Sequence, residues 1–372
     1  MRGVILPAPA YRPSTRRIMT PLDPPLCAYH THLTTMKPKL DQSWTADQLL
    51  ELGRGYQAAA VFAAAADLDL FSAVGGSGRT DAELAAQLGC DDRGLVILLD
   101  ALTALGLLRK ENGRYSLPEG TSSLLTAGSS ASILPMAQHQ GTCLQRWAQL
   151  ATVVKTGRPA NPIPSVRGEQ GDLEAFIGAM HAISAPTAEA VIGGVRPLHF
   201  RHLLDIGGGS GTWTIAFLRA CSGSTATLFD LAAVIPMAQR RLDRAGLGAR
   251  VSLVAGDFLN DVLPPGADLA WVSAIVHQNS RAQNRRLFAN VFRALVPGGR
   301  VVIRDMVMEE SRTHPVAGAL FAVNMLVATE GGATYTFTEL AEDLSHEGFV
   351  EAKVLRQDQG MNALVSAIKP AA

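Results

Sequence analysis

The sequence predicts an α/β protein in which a mostly helical N-terminal part leads into a parallel sheet with helices on both faces. Three observations carry that prediction. After Pro197, short apolar runs alternate with helix-period segments, the pattern of a sheet buried on both sides. The first of these runs, Leu203-Leu204-Asp205-Ile206, ends in Gly207-Gly208-Gly209-Ser210-Gly211 and is followed by a periodic segment, Trp213 to Ala220: a strand, a tight turn and a helix. Ahead of them, three helical segments precede a short hairpin, the order of a winged-helix unit.

The chain has 372 residues, of which 47% are hydrophobic and 18% charged, enough for two domains with cores of their own. Its formal net charge is zero, so nucleic acid and anionic membrane surfaces are not expected as main partners. Cys27, Cys90, Cys143 and Cys221 form no Cys-x-x-Cys pair, which argues against a zinc site or a disulfide framework and fits a cytoplasmic location. The histidines show no metal-ligand spacing, and no metal is expected. The apolar stretch Ala58 to Ala66 is far shorter than the ~20 residues a spanning helix needs.

Residues 1–42 contain Pro7, Pro9, Pro13, Pro21, Pro24 and Pro25 and develop no apolar period, which predicts a disordered extension. Arg2, Arg12, Arg16 and Arg17 precede the first acid, Asp23, in the manner of a transit peptide, although the prolines spoil an amphipathic helix; a natural start at Met36 is the other reading. A helical domain is expected over residues 43–195. Its first helix opens near Ser43 or Thr45, with apolar positions Leu49, Leu50, Tyr56, Val61, Phe62, Leu68 and Phe71. Thr80-Asp81-Ala82-Glu83 has the form of a capping box opening Ala82 to Leu88, and Asp91 or Asp92 caps a helix from Arg93 to Leu105. Two short strands follow between Gly106 and Leu117, about an Asn112-Gly113 turn. Winged helices often bind DNA, but Arg93 to Leu105 carries Leu95, Val96, Ile97, Leu98, Leu99 and Leu102 with one basic residue, which suits burial in protein. Helical segments at Ser132 to Val154 and Asp172 to Ile192, separated by a loop at Pro159 to Pro164, bring more apolar surface than one small domain covers; a homodimer interface is expected there.

Residues 196–372 form the second domain. Strands are predicted at His202 to Ile206, Thr225 to Asp230, Val251 to Ala255, Ala267 to Ser273 and Arg300 to Met306. Right-handed crossovers put their C-terminal ends on one edge, where functional residues should gather. At that edge Gly207, Gly209 and Gly211 let backbone N–H groups and a helix N-terminus approach a ligand. A nicotinamide fingerprint would need glycine at 212, which is Thr212. Asp230 closes the second strand, where an acid can accept both ribose hydroxyls or cap a helix. Asp257, in Gly256-Asp257-Phe258, can take an adenine amino proton while Phe258 covers the ring, or else belongs to a surface turn.

With these residues in order, the chain from about 45 to 369 resembles the small-molecule O-methyltransferases that use S-adenosylmethionine, the group that includes caffeic acid and acetylserotonin methyltransferases. The resemblance is carried by Leu203 to Gly211, Phe229-Asp230-Leu231, Gly256-Asp257-Phe258 and Ala294-Leu295-Val296-Pro297-Gly298-Gly299. It implies a Rossmann-like methyltransferase domain preceded by a winged-helix dimerisation domain, and S-adenosylmethionine as cofactor. Asp205, Gly207, Gly209, Gly211, Asp230, Leu231, Gly256, Asp257, Phe258 and Ser273 would then hold the cofactor. The resemblance also implies a catalytic base at His277, oriented by an acid at Asp305, acting on a hydroxyl of a small aromatic or polyketide-like acceptor. An imidazole suits proton removal near neutral pH. A substrate wall is implied at Met136, His139, Trp147, Phe176, Met180, His181, Phe321, Asn324 and Met325. Of these, Phe176, Met180, Phe321, Asn324 and Met325 are expected to touch the substrate. The sequence also departs from the pattern. Thr334 stands where many members have a second acid, Gln278-Asn279 where they have Asp-Trp, and Ser273 where lysine is frequent. These departures keep two alternatives open: carbon or nitrogen methylation, and cofactor binding without catalysis.

Overall fold

The structure is a computed structural model and describes residues 43–371; the proline-rich segment 1–42 lies outside the described residues. Helix α1 (Ala46–Arg54) is capped by Thr45 rather than Ser43, because Thr45 and Gln48 close a capping box. It is followed by α2 (Tyr56–Asp67), α3 (Leu70–Val74) and β1 (Arg79–Thr80). The expected box at Thr80 and Glu83 opens α4 (Asp81–Leu88), and Asp91 accepts from the Gly94 N–H at 2.7 Å to open α5 (Asp92–Ala104). Strands β2 (Arg109–Glu111) and β3 (Arg114–Ser116) meet across Asn112 and Gly113, whose φ values of 49° and 74° are those a two-residue hairpin requires. Strand β1 pairs with β3 and completes the wing.

Leu95, Leu99 and Leu102 of α5 pack inward with Phe71, Leu84 and Tyr115. By contrast α1 buries none of its residues, and Leu49, Leu50 and Leu52 are 52%, 56% and 47% exposed. Beyond α6 (Thr121–Leu125), the two long helices expected from the sequence are each divided. The first becomes α7 (Leu134–Trp147) and α8 (Leu150–Thr156). The second becomes α9 (Gly168–Ser184) and α10 (Ala188–Ile192), parted at Pro186, which has no N–H to donate. Helix α9 starts before Asp172 because that carboxylate clasps the preceding loop, accepting from Ser165 N–H at 2.9 Å and Arg167 Nη2 at 3.0 Å.

Strands β4 (His202–Ile206), β5 (Thr225–Asp230), β6 (Val251–Ala255) and β7 (Ala267–Ser273) have the predicted bounds. Strand β8 (Leu295–Asp305) begins earlier than predicted and ends before Met306. Between these strands run α11 (Thr212–Ala220), α12 (Ile235–Arg244) and α13 (Arg281–Ala294). Beyond β8 come β9 (Val307–Met308), α14 (Val316–Ala328), β10 (Tyr335–Thr336), α15 (Phe337–His346), β11 (Val350–Arg356) and β12 (Ala363–Ile368). The sheet has seven strands in the order β11-β12-β8-β7-β4-β5-β6, and β12 runs antiparallel to β8, so it is mixed at one side. One face packs on α10, α11 and α12 through Val191, Phe217, Leu242 and Trp271; the other packs on α13 and α15 through Phe288, Val291, Leu340 and Leu344. The chain order reverses at β4, which has β5 on one side and β7 on the other, and this switch point places a crevice at its C-terminal end.

Candidate active site

Gly207, Gly209 and Gly211 all have left-handed backbone, at φ 64°, 55° and 78°. Their neighbours distinguish them. A Cβ on Gly207 would collide with Ile275, and one on Gly208 would lie 2.5 Å from Leu228 Cγ. Around a Cβ on Gly209 nothing lies within 4 Å, so this position alone of the three faces open space. Behind the turn, Asp205 is 1% exposed, and its Oδ2 accepts from Thr214 Oγ1 at 2.5 Å. Its Oδ1 has no partner among the described residues. Burial, aided by the nearby Asp230 carboxylate, pushes Asp205 up to about 7.

Asp230, at the end of β5, folds back on the turn: Oδ2 accepts the Gly209 N–H and Oδ1 the Leu231 N–H, both at 2.7 Å. Burial raises its pKa against those two hydrogen bonds. Leu231 is 56% exposed beside it. A Cβ on Gly256 would strike the Phe229 ring, which keeps the next turn tight. Asp257 builds that turn, accepting from Leu259 N–H at 2.9 Å and Asn260 Nδ2 at 2.7 Å. Phe258 reaches over the glycine turn, its Cε1 3.9 Å from the place of a Gly207 Cβ.

Past β7, His277 sits in a single helical turn, Val276–Gln278, and is 6% exposed. Its Nδ1 lies 2.8 Å and 3.0 Å from the two Asp305 oxygens. Aspartate, though shorter than glutamate, reaches the ring directly. Asp305 is 1% exposed and its Oδ1 also accepts the Met306 N–H at 2.7 Å, so the carboxylate is fixed by its own backbone. An acceptor facing Nδ1 selects the tautomer that carries its proton there and leaves Nε2 as a lone-pair donor. No described residue hydrogen-bonds Nε2. Phe321 on α14 stands edge-on to the imidazole at 4.8 Å. The Gly331-Gly332 loop closes against the same segment: a Cβ on Gly332 would lie 2.5 Å from the His277 carbonyl oxygen, which accepts the Ala333 N–H at 2.9 Å. Thr334, in the acidic slot, is buried and bonds the Gly318 carbonyl at 3.4 Å.

The expected substrate residues come from two helices. Phe176 of α9 is 37% exposed and lies 5.1 Å from the His139 ring of α7; Met180 follows on the same helix. From α14, Phe321 touches His277, Asn324 Oδ1 accepts from Trp147 Nε1 at 2.9 Å, and Met325 is a 6%-exposed core residue. Burial, with Arg146 nearby, pushes His139 down to about 4, so it is neutral at neutral pH.

Two arrangements were not foreseen. His181 Nδ1 lies 2.8 Å from Thr212 Oγ1, itself 2.9 Å from Ser210 Oγ, while Arg241 Nη1 donates to His181 Nε2 at 2.7 Å. Burial and Arg241 push His181 down to about 4. Ser273, expected at the cofactor, accepts from Arg304 Nη1 at 3.1 Å. Neither arrangement has a signal in local sequence spacing, because each joins residues from separate elements. Among the described residues no helix is long and apolar enough to cross a membrane.

The chain matches the O-methyltransferase domain family over residues 147–350 and the O-methyltransferase dimerisation domain family over residues 50–129. It is 31% identical over 334 residues to 3-hydroxy-5-methyl-1-naphthoate 3-O-methyltransferase of Streptomyces sahachiroi, covering 86% of this chain and 94% of that one. It is 30% identical to the tetracenomycin polyketide synthesis 8-O-methyl transferase TcmO of Streptomyces glaucescens, over 82% of this chain and 91% of that one. The solved structure of PigF with SAH aligns with a TM-score of 0.77 at 25% identity, over 88% of this chain and 100% of that one. A dimerisation domain, a mostly parallel seven-stranded sheet with a glycine turn at its switch point, and relatives of this kind together decide the matter: the chain belongs to the S-adenosylmethionine-dependent O-methyltransferases.

Proposed function

We propose that the chain methylates a hydroxyl of a small aromatic or polyketide-like acceptor, with His277 as the general base, Asp305 as the residue that orients it, and a homodimer as the working form. The observation that carries this reading is the His277–Asp305 pair: two carboxylate oxygens at 2.8 and 3.0 Å hold Nδ1 and leave Nε2 unpaired beside Phe321. An acceptor hydroxyl donating to Nε2 gains nucleophilicity as its proton moves to the ring, and the buried Asp305 carboxylate offsets the charge the imidazole then carries. The acceptor class rests on the names of the naphthoate and tetracenomycin relatives, together with the aromatic and methionine side chains of Phe176, Met180 and Phe321.

Residues at the strand ends fit the cofactor. Gly209 has open space where a ligand backbone would pass, and the unpaired Asp205 Oδ1 is an acceptor for its ammonium group. Asp230 would accept the ribose hydroxyls, with Leu231, Gly256, Asp257 and Phe258 against the adenine. When bound, S-adenosylmethionine supplies a methyl group on a positively charged sulfur, open to in-line attack by oxygen. The exposed Leu50 and Leu52 of α1, in the segment that matches the dimerisation family, and Leu49 just before it support the homodimer.

The test uses labelled cofactor and a panel of naphthols, hydroxynaphthoates and polyketide phenols, with the product's methyl position read by NMR. With the best acceptor, His277→Ala should lower kcat by about 100- to 10,000-fold while the Kd for S-adenosylhomocysteine stays within twofold of wild type. Full kcat in that variant would remove His277 from the role.

A further inference from the structure

Arg304 precedes Asp305 on β8, and strand alternation sends it to the opposite face, where Val302, Trp213 and Trp271 pack. It is 3% exposed. The guanidinium carbon lies 4.5 Å from the Trp213 ring centroid, Nη1 donates to Ser273 at 3.1 Å, and Nε donates to Asn362 at 2.9 Å. These partners belong to the first turn of α11, the end of β7 and the segment before β12. No described carboxylate comes within ion-pair distance, and Nη2 hydrogen-bonds to no described residue. Burial lowers its pKa to about 10, which leaves it charged at neutral pH. Its hydrogen-bond partners are neutral, Asp305 and Asp358 act on it only at longer range, and Nη2 is not sealed from contact, so an anion can join it there.

We propose that Arg304 anchors the carboxylate at the aminoacyl end of the cofactor, offering its free Nη2 edge to that group. This rests on cofactor binding and not on the role given to His277. The carboxylate is the donor's one anionic group, and the arm that bears it hangs from the same sulfur as the methyl. With the methyl presented near His277, the arm would begin beside the ends of β7 and β8. Asp205 and Arg304 lie on one face of the sheet, two strands apart across β7, where Asp205 pairs with Trp271 and Trp271 with Val302. Two strand spacings and the two-residue step from Val302 to Arg304 make about 12 Å, a gap within reach of a long arginine side chain. The unpaired Asp205 oxygen and the spare Arg304 edge thus form an acid and a base that match the ammonium and carboxylate of an amino acid.

Calorimetry with two ligands tests it: S-adenosylhomocysteine, which carries the aminoacyl arm, and 5′-methylthioadenosine, which lacks it. Arg304→Met should weaken the first by about tenfold or more and change the second by less than about twofold. Arg304→Lys, which keeps the charge, should recover part of the lost affinity and serves in place of the methionine variant if that one does not fold. An equal loss for both ligands would make Arg304 structural only, and an unchanged affinity for S-adenosylhomocysteine would remove it from the site; either result overturns the proposal.

Discussion

Gly209→Ala separates a glycine kept for the protein's own packing from one kept for a ligand. Alanine at φ 55° costs about 1–2 kcal/mol for the left-handed backbone. No steric cost is added, because nothing lies within 4 Å of the new methyl. The comparison variant is Gly208→Ala, whose methyl would lie 2.5 Å and 2.9 Å from Leu228 and 3.1 Å from Asp205 Cγ, an overpacking worth about 1–3 kcal/mol. Both variants should therefore unfold a few degrees below wild type, by similar amounts. Affinity should separate them, since only the Gly209 methyl occupies the open side of the turn. Calorimetric titration with S-adenosylhomocysteine should give a Kd at least about tenfold higher for Gly209→Ala, or about 1.4 kcal/mol, and a smaller change for Gly208→Ala. Wild-type affinity in Gly209→Ala would show that the space over Gly209 is not where the cofactor lies.

Asp230→Ala should raise the same Kd by about tenfold or more, in line with the ~1.5–3 kcal/mol of hydrogen bonds to a charged group; an unchanged Kd would exclude Asp230 from the ribose. Asp205 gives a pH signature in the ligand-free protein. Its carboxyl keeps its proton in the fold up to about 7 but releases it near 3.8 when unfolded, so its contribution to stability falls as pH rises between those values. Urea denaturation at pH 5 and pH 8 should show wild type losing stability relative to Asp205→Asn at the higher pH. A difference between the two proteins that does not change with pH would refute the burial effect.

Strands β4, β5 and β7 were legible because each is a mostly apolar run with a clear stop, and burial on both faces leaves little room for other patterns; β6, at the sheet edge with no fully buried residue, was legible from Val251, Leu253 and Val254 ahead of the Gly256 turn. Strands β11 and β12 were not. In β11, Glu351 and Lys353 break the apolar pattern, Glu351 has φ 54°, and the pairing with β12 shifts register twice, as edge strands do. The break at Pro186 was readable from the residue itself, while the one at Ala148-Gln149 has no proline to announce it. Asp205, Asp230 and His277 stood out as candidates because they fall at strand ends or just beyond. Arg304 was missed because a charged residue in a strand ordinarily faces water, and Trp213, Ser273 and Asn362 meet it only once the sheet is assembled.

Thr212 occupies the position that a dinucleotide-binding turn gives to glycine, and its hydroxyl carries the contact with His181 of α9. The helix that bears Phe176 and Met180 is thereby tied to the first turn of the helix after the glycines, with Arg241 holding the far side of the imidazole. Linkage makes any coupling carried by this tie reciprocal: if an acceptor on α9 changes the affinity for a cofactor at the turn, the cofactor changes the acceptor's affinity by the same factor. A dissociation constant for either proposed ligand is then best measured with the occupancy of the other stated.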